Sequence, residues 1–311
     1  MAGRICIGIS GWRYAPWRGT FYPRGWPQRR ELEFASRVFS SIELNGSFYG
    51  LQTPASYARW HAETPPGFIF SVKGSRTITH ERRLQNASGL LADFFASGIF
   101  HLKEKLGPIL WQLPPSLAYH HETLESFLKL LPRNFAEAFA LSAQTQTLRG
   151  GQGQSVAEID HALRHCLEVR HPSFKRESFI DLLRKYRIGL VVADAAGKWP
   201  CFEDLTADFV YIRLHGAEEL YSSGYTEEAL VHWATRIRAW SEGQIPSDGH
   251  DVSTQPSRPA PSRDVYCYFN NSMKEKAPFN ARQLIKKLGL EAGLLEFPSA
   301  DHGAGEQLRL I

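Results

Sequence analysis

The sequence has no clustered cysteines and no long apolar segment. Its 311 residues include four cysteines: Cys6, Cys166, Cys201 and Cys267. No two of them form a C-x-x-C pair. Disulfide frameworks and thiolate zinc sites need clustered cysteines, so neither is expected, and reduced thiols predict a cytoplasmic protein. No apolar run approaches a membrane span, and the one before Gly11 is too short for a signal peptide. We therefore expect no membrane partner.

A strong charge of one sign is also missing. Lys and Arg number 36 and Asp and Glu number 32, a net charge of +4. Such a small excess does not indicate a nucleic-acid partner, although it is compatible with an anionic ligand. No glycine-rich phosphate loop stands between a strand and a helix, so no nucleotide cofactor is predicted. The 43% of hydrophobic residues predicts a folded globular chain.

Short β-rich runs alternate with helical stretches along the whole chain. The predicted strands are Ile5–Ile9, Ser41–Leu44, Phe68–Val72, Pro108–Gln112, Cys166–Arg170, Leu190–Ala193, Phe209–Leu214 and Val265–Phe269. The predicted helices are Arg30–Ser40, Ala55–His61, Ser88–Lys105, Glu122–Leu130, Ala157–Arg164, Arg176–Tyr186, Thr226–Trp240 and Lys276–Leu288. Eight such pairs predict a (β/α)8 TIM barrel, a single domain over residues 1–311. The connection Ala195–Asp208 is predicted to be mostly loop.

Two segments interrupt the alternation. Residues 142–155 and 241–263 are rich in Gly, Ser, Gln and Pro and poor in large apolar side chains. Segments of that composition cannot offset the entropy lost on ordering. We predict that both are flexible surface insertions.

Charged side chains stand at the carboxyl ends of the predicted strands. Alternation along a strand sends every second side chain toward the barrel axis. The polar side chains predicted to point inward there are Glu43, Asn45, Ser71, Lys73, Gln112, Glu168, Arg170, Asp194, Arg213 and His215. On the last strand, either Asn270 or Asn271 faces inward, and the sequence leaves that choice open.

An uncompensated charge in a barrel interior is costly, so these groups must neutralise one another or meet a ligand. Barrel enzymes carry their active sites at the carboxyl ends of the strands. A functional pocket at this mouth is therefore favoured over a purely structural ion network.

Several short sequences in one order resemble the YecE-like family, domain of unknown function 72. They include Glu43-x-Asn45-x-Ser47-Phe48-Tyr49, Phe70-Ser71-Val72-Lys73, Gln112-Leu113-Pro114-Pro115, Glu168-x-Arg170-His171-Pro172, Tyr211-x-Arg213-x-His215-Gly216 and Tyr268-Phe269-Asn270-Asn271. The similarity runs from about Ile5 to about Leu288. It implies a TIM barrel and an uncharacterised function. Phe174 departs from the tryptophan expected after His-Pro-Ser.

The residue types favour acid/base chemistry on a small anionic or polyhydroxylated molecule. Arg170 and Arg213 can bind a phosphate or carboxylate, and Lys73 adds a third positive charge. Glu168 or Asp194 is the predicted general base and His215 the general acid. Glu43, Asn45 and Gln112 are predicted to orient substrate hydroxyls. Further predicted substrate-binding residues are His80, His171, Tyr221, Tyr225 and Asn270.

Three alternatives stay open. Lys73 is a Schiff-base nucleophile if its neighbours depress its pKa, although a lysine paired with Glu43 or Glu168 is favoured. Carboxylates and histidines on successive strands suit a divalent metal in a hydrolase or isomerase, but the three cations in the same ring argue against it. The third alternative is a nucleic-acid binder or nuclease that uses the arginines near the amino terminus: Arg13, Arg18, Arg24, Arg29 and Arg30.

Overall fold

Eight parallel strands close into one barrel in the order of the sequence. The computed structural model describes residues 2–145, 161–217, 220–221, 223–257, 259–272 and 275–295. The strands are β1 (Ile5–Ser10), β2 (Ser41–Leu44), β3 (Ile69–Lys73), β4 (Leu106–Gln112), β5 (His165–Glu168), β6 (Gly189–Asp194), β7 (Phe209–Leu214) and β8 (Asp264–Phe269). All eight predicted strands are present, and the predicted TIM barrel is confirmed.

Helices follow most strands and cover the outside of the barrel. The α-helices are α1 (Glu31–Val38), α2 (Gly46–Tyr49), α3 (Pro54–Glu63), α4 (Ser88–Ala96), α5 (His121–Leu130), α6 (Phe135–Ser142), α7 (Glu177–Tyr186), α8 (Glu227–Ser241) and α9 (Lys276–Leu288). The connection between β6 and β7 has no helix, as predicted. None of the helices in the described ranges is long and apolar enough to cross a membrane.

The helix predicted at Ala157–Arg164 is wrong where it can be checked. Residues 161–164 are not helical, and residues 157–160 lie outside the described ranges. Helix α6 stands between β4 and β5 instead. Its start is fixed by Asn134, whose side chain accepts a hydrogen bond from the Glu137 amide at 2.8 Å. The Glu137 carboxylate in turn accepts from the Arg133 amide at 2.7 Å, an arrangement close to a capping box.

The two predicted insertions fall on different parts of the structure. Most of residues 142–155 lie outside the described ranges, although residue 142 ends α6. The segment 241–263 connects α8 to β8, so it lies at the amino-terminal end of the barrel, away from the predicted site. The Val252 and Ser253 amides donate to Asp204 at 2.8 and 2.9 Å. These bonds attach the segment to the connection between β6 and β7.

Two apolar layers share the strands. The larger one fills the space between strands and helices. The smaller one fills the barrel interior and contains Cys6, Ile69, Leu110, Cys166, Val191, Ala193, Phe209, Tyr211, Tyr266 and Tyr268. Tyr266 and Tyr268 therefore place Asn270, not Asn271, on the inward face of the last strand. Two tyrosines of this layer are hydrogen-bonded to serines: the Tyr211 hydroxyl is 2.6 Å from that of Ser71, and the Tyr268 hydroxyl is 2.7 Å from that of Ser41.

Candidate functional site

A guanidinium group occupies the centre of the barrel at the carboxyl ends of the strands. Arg213, on β7, is only 1% exposed. Its Nε and Nη2 donate to the two oxygens of Glu43 at 3.0 and 2.9 Å, a bidentate pair across the barrel. Glu43 also accepts from Tyr211 at 2.7 Å and from the Ser10 hydroxyl. The Asn45 amide donates to that same Ser10 hydroxyl at 2.9 Å.

The second carboxylate joins two arginines. Glu168, at the end of β5, is completely buried. Its Oε2 accepts from Arg213 Nη1 at 2.5 Å, and its Oε1 accepts from Arg170 Nε at 2.6 Å. The Arg170 guanidinium lies over the Trp199 ring at 4.1 Å, which stabilises a cation at the edge of the cluster.

Electrostatics keep both carboxylates ionised. Burial alone would raise the pKa of Glu43, but Arg213 and Lys73 outweigh it and the pKa is lowered. Burial also opposes ionisation of Glu168, yet Arg170 and Arg213 hold its pKa well below the usual range. Since each carboxylate is charged and already accepts several hydrogen bonds, neither is a ready proton donor at neutral pH.

Lys73 differs from the other cations of the cluster. It ends β3, is 8% exposed, and places its Nζ 4.1 Å from the centre of the Phe48 ring. Within the described ranges, no carboxylate lies within 4.0 Å of this ammonium and no hydrogen bond satisfies it. The favoured prediction, a lysine paired with Glu43 or Glu168, is therefore wrong at contact distance. Burial, followed by repulsion from Arg213, lowers the pKa of Lys73 to about 7.

His215 lies beside Glu168 without bonding to it. Its Nε2 is 3.7 Å from Glu168 Oε2, which is too long for a hydrogen bond. Its Nδ1 is 3.0 Å from the Asn270 amide nitrogen, and the Tyr221 ring lies 5.4 Å away. Burial lowers the pKa of His215 to about 4 despite the nearby carboxylate. The imidazole is therefore neutral at physiological pH.

His80 and Gln112 form the opposite side of the mouth. His80 is carried by a π-helical turn over Thr77–Glu81, and such turns are frequent at functional sites. Its Nδ1 is 2.9 Å from the Thr79 hydroxyl, its Nε2 is 3.4 Å from the Gln112 amide nitrogen, and its ring packs edge-on against Phe48 at 5.0 Å. Burial and then Lys73 lower the pKa of His80 to about 4.

Three predicted site residues do not join this cluster. Asp194 shares the face of Val192, which packs in the strand–helix layer, whereas Val191 and Ala193 face the interior. The expectation that Asp194 points inward is wrong. Its carboxylate interacts with Tyr225 and Trp233, and burial raises its pKa.

Tyr225 packs in the same strand–helix layer as Val192. It accepts a hydrogen bond from the Gly216 amide at 3.2 Å through its hydroxyl. His171 is turned into its own loop, where its Nδ1 accepts from the Ser173 amide at 3.1 Å.

Sequence reasoning also missed some members of the cluster. Ser10, Tyr14 and Trp199 were not predicted as site residues, although Tyr14 donates to the Ser10 carbonyl at 2.6 Å. The alternation along β1 does indicate that Ser10 points inward, because Cys6, four residues earlier on the same strand face, lies in the barrel interior. Trp199 stands in an irregular connection, where no periodicity indicates its direction.

A closed eight-stranded β/α barrel with a buried ion cluster at its carboxyl-terminal mouth defines a TIM-barrel protein whose polar centre lies where barrel enzymes keep their active sites. The sequence profile of the family described as "Protein of unknown function DUF72" matches residues 6–302. The chain therefore belongs to the DUF72 family, as the resemblance implied.

Relatives agree with this assignment. The UPF0759 protein YecE of Escherichia coli strain K12 is 24% identical over 251 residues, which cover 78% of this chain and 84% of YecE. A crystal structure of a DUF72 family protein from Thermotoga maritima superposes with a TM-score of 0.68 at 23% identity, over 92% of this chain and 99% of that one. Another from Enterococcus faecalis gives 0.64 at 16% identity, over 92% and 96%. These structures share the fold.

Proposed function

We propose that this protein is an enzyme that binds a small phosphorylated or carboxylated molecule at the carboxyl-terminal mouth and acts on it by acid/base chemistry. The observation that carries the proposal is the charge balance of the cluster. Among the described residues, three cations (Lys73, Arg170 and Arg213) face only two carboxylates (Glu43 and Glu168). A buried excess of positive charge favours an anionic ligand.

The three cations differ in exposure, and we assign them different roles on that basis. Each nitrogen of Arg213 donates to a carboxylate, so this side chain holds Glu43 and Glu168 in place. Arg170 is 10% exposed and Lys73 is 8% exposed. These two are the cations that an incoming anion meets, and Asn45 and Gln112 supply polar groups beside them.

Proton transfer falls to the histidines. Glu168 is ionised and multiply hydrogen-bonded, so it is a weaker base than a neutral imidazole. His80 and His215 each have a pKa lowered to about 4 and are neutral at pH 7. We assign the base to His80, which is the less buried of the two, whereas His215 packs beside Glu168 with its Nε2 3.7 Å from the carboxylate.

The metal alternative has less support. Every carboxylate oxygen of Glu43 and Glu168 already accepts a hydrogen bond from an arginine. Across the described ranges, no group of three or more His, Cys, Asp or Glu side chains is arranged to hold a metal ion. A divalent cation would have to displace Arg213 from its carboxylates, which is unfavourable in a buried site.

The nucleic-acid alternative is also weaker. Arg18 pairs with Glu31 at 2.8 Å and Arg30 with Glu33 at 2.6 Å. The aromatic residues interleaved with these arginines are largely buried, as Trp17 and Phe21 show with 0% exposure. Their rings are therefore not free to stack on bases.

Calorimetric titration with inorganic phosphate and with pyruvate tests the proposal. Lys73→Met removes the unbalanced charge and keeps most of the side-chain volume, so affinity is expected to fall roughly tenfold or more. Lys185→Met is the control, because Lys185 is 61% exposed and pairs with Glu125 on an outer helix. Equal affinities for the wild type and the Lys73→Met variant would show that the ligand does not use this charge.

A further inference from the structure

The geometry points to a covalent role for Lys73 that deepens the proposed function and rests on it. We propose that the Lys73 amine forms an imine with the carbonyl carbon of the bound anion. The substrate class is then a small aldehyde or ketone that also carries a phosphate or carboxylate.

The surroundings of the Lys73 amine are those of a nucleophile. Within the described ranges it has neither a carboxylate within 4.0 Å nor a hydrogen-bond acceptor, and it lies over the Phe48 ring, 4.1 Å from the ring centre. Lys105, which is also buried, is an example of a lysine whose ammonium group is fully hydrogen-bonded. Lys105 donates to the carbonyls of His61 and Thr64 at 2.6 and 2.7 Å. Lys73 has no such bonds, so its nitrogen is available for a ligand.

The backbone that carries Lys73 is held firmly. The Ser47 hydroxyl donates to the Lys73 carbonyl at 2.6 Å, and the Gly74 amide donates to the Leu110 carbonyl at 2.8 Å. A Cβ on Gly74 would lie 2.3 Å from the Trp111 ring, so only glycine fits between the strand end and this indole. The lysine side chain is thus a flexible arm on a fixed base, which suits a covalent attachment point.

Electrostatics make the amine reactive near neutral pH. A neutral lysine is the nucleophile, and desolvation beside another cation is an established way to produce it. Burial and Arg213 together lower the Lys73 pKa to about 7. About half of the amine is therefore unprotonated at that pH.

The proposed step balances. The amine lone pair attacks the carbonyl carbon, a C–N bond forms, and the C=O π electrons move to oxygen, which takes up a proton. The resulting carbinolamine loses its hydroxyl group as water after a second proton transfer, and a protonated imine remains. Overall, one neutral amine, one carbonyl and one proton give one protonated imine and one water.

Imine formation also gives the neutral His80 a role as a base. A protonated imine withdraws electrons from the adjacent carbon, so a base can remove a proton there and leave an enamine. His80 lies on the same Phe48 ring as Lys73 and is neutral at pH 7. Aldol cleavage, dehydration and isomerisation of keto acids or sugar phosphates are the reaction classes that this pair supports.

Borohydride trapping tests the imine on the intact chain. The protein is incubated with pyruvate or with dihydroxyacetone phosphate, reduced with sodium borohydride, digested and mapped by mass spectrometry. We expect the peptide with Lys73 to gain the mass of the probe less one oxygen atom. Acetone, which has the carbonyl without the anion, is expected to react at least roughly tenfold less.

Variants separate this proposal from the previous one. Lys73→Arg keeps the charge but not the nucleophile, so we expect phosphate binding without an adduct at position 73. The yield of adduct is expected to rise with pH through about 7 as Lys73 loses its proton, whereas phosphate affinity falls.

Each outcome decides one of the two proposals. Phosphate binding with no adduct, or adducts spread equally over exposed lysines such as Lys185, would overturn the imine and leave the anion site standing. An adduct on Lys73 without any preference for anionic probes would support the imine and overturn the anion site. Neither binding nor adduct with these probes would overturn both.

Discussion

Both ends of the barrel carry several cations, but in very different surroundings. At the carboxyl-terminal mouth the charges are enclosed, paired across the barrel and clustered around Arg213. At the amino-terminal end lies a cavity of about 950 Å³ above an apolar floor that includes Ile69, Leu106 and Phe209. This cavity does not contain the Arg213 cluster.

Several cations of the amino-terminal cavity make structural contacts. Arg164 pairs with Asp264 at 2.6 Å and with Asp208 at 3.2 Å. Arg133 donates to the Tyr186 carbonyl at 2.8 Å. Such contacts hold loops and strand ends together. The two ends therefore differ in how deeply their charges are buried: the side chains of Arg213, Glu43 and Glu168 are at most 1% exposed, whereas Arg164 and Asp264 are each 29% exposed.

The largest expected effect is a loss of stability when the central arginine of a network is replaced. That arginine is Arg213 at the mouth and Arg164 at the amino-terminal end. Arg213→Met leaves the buried Glu43 without a cation at contact distance and Glu168 with Arg170 alone, so we expect a loss of about 3–5 kcal/mol in the free energy of unfolding. Arg164→Met removes a pair whose partners are partly exposed, and about 1 kcal/mol is expected. Urea denaturation measures both. Equal losses would erase the contrast between the two ends.

Acid is expected to act on both ends alike. His215 at the mouth and His165 at the start of β5 each have a pKa lowered by burial from 6.5 to about 4. The unfolded chain binds these protons first, so stability is full above about pH 6.5 and falls as the pH drops toward 4, by about 3 kcal/mol for each group.

Matched variants test this acid response. His215→Gln and His165→Gln should each flatten the profile of unfolding free energy against pH between about 6.5 and 4. A profile that keeps its slope in His215→Gln would mean that the folded protein protonates this imidazole as readily as the unfolded chain does.

Replacing the two buried lysines, Lys73 and Lys105, is expected to change the free energy of unfolding in opposite directions. Lys73→Met removes a largely desolvated charge that has no carboxylate at contact distance among the described residues, so it should stabilise the protein by roughly 2 kcal/mol at pH 7. The lowered pKa means that the wild type gains stability between about pH 7 and 10.5, and the advantage of the variant should shrink over that range. Lys105→Met loses carbonyl partners and should destabilise by about 1–3 kcal/mol. Thermal and urea unfolding report both signs.

The smallest effect is expected at the surface. Lys185→Met breaks an exposed pair with Glu125 and should leave the midpoint of urea unfolding almost unchanged. It should also leave phosphate and pyruvate binding unchanged, which calorimetry measures. A loss of binding in this variant would transfer the anion site from the mouth to the outer helices.

The sequence predicted the barrel because strand and helix patterns alternate along the chain with clear boundaries between them. It predicted the inward direction of Glu43, Lys73, Glu168 and Arg213 because each shares a strand face with other polar or small residues. Asp194 was misassigned for a physical reason. Strand β6 is buried on both faces, so its apolar run carries no alternation that indicates direction.

Contacts across the barrel were beyond the sequence for a different reason. The pairing of Arg213 with both carboxylates depends on how eight strands are staggered around the axis. The unpaired state of Lys73 depends in turn on Arg213 having taken both partners. Start signals for α6 were present in Asn134 and Glu137 and would have indicated that helix.

Gly74 has a consequence for how this protein can evolve. A side chain there would collide with Trp111, so any replacement displaces the end of β3 and swings Lys73 away from Phe48. The position of the Lys73 side chain therefore depends on the absence of a side chain at position 74. It also depends on Trp111, whose indole packs in the strand–helix layer behind the mouth.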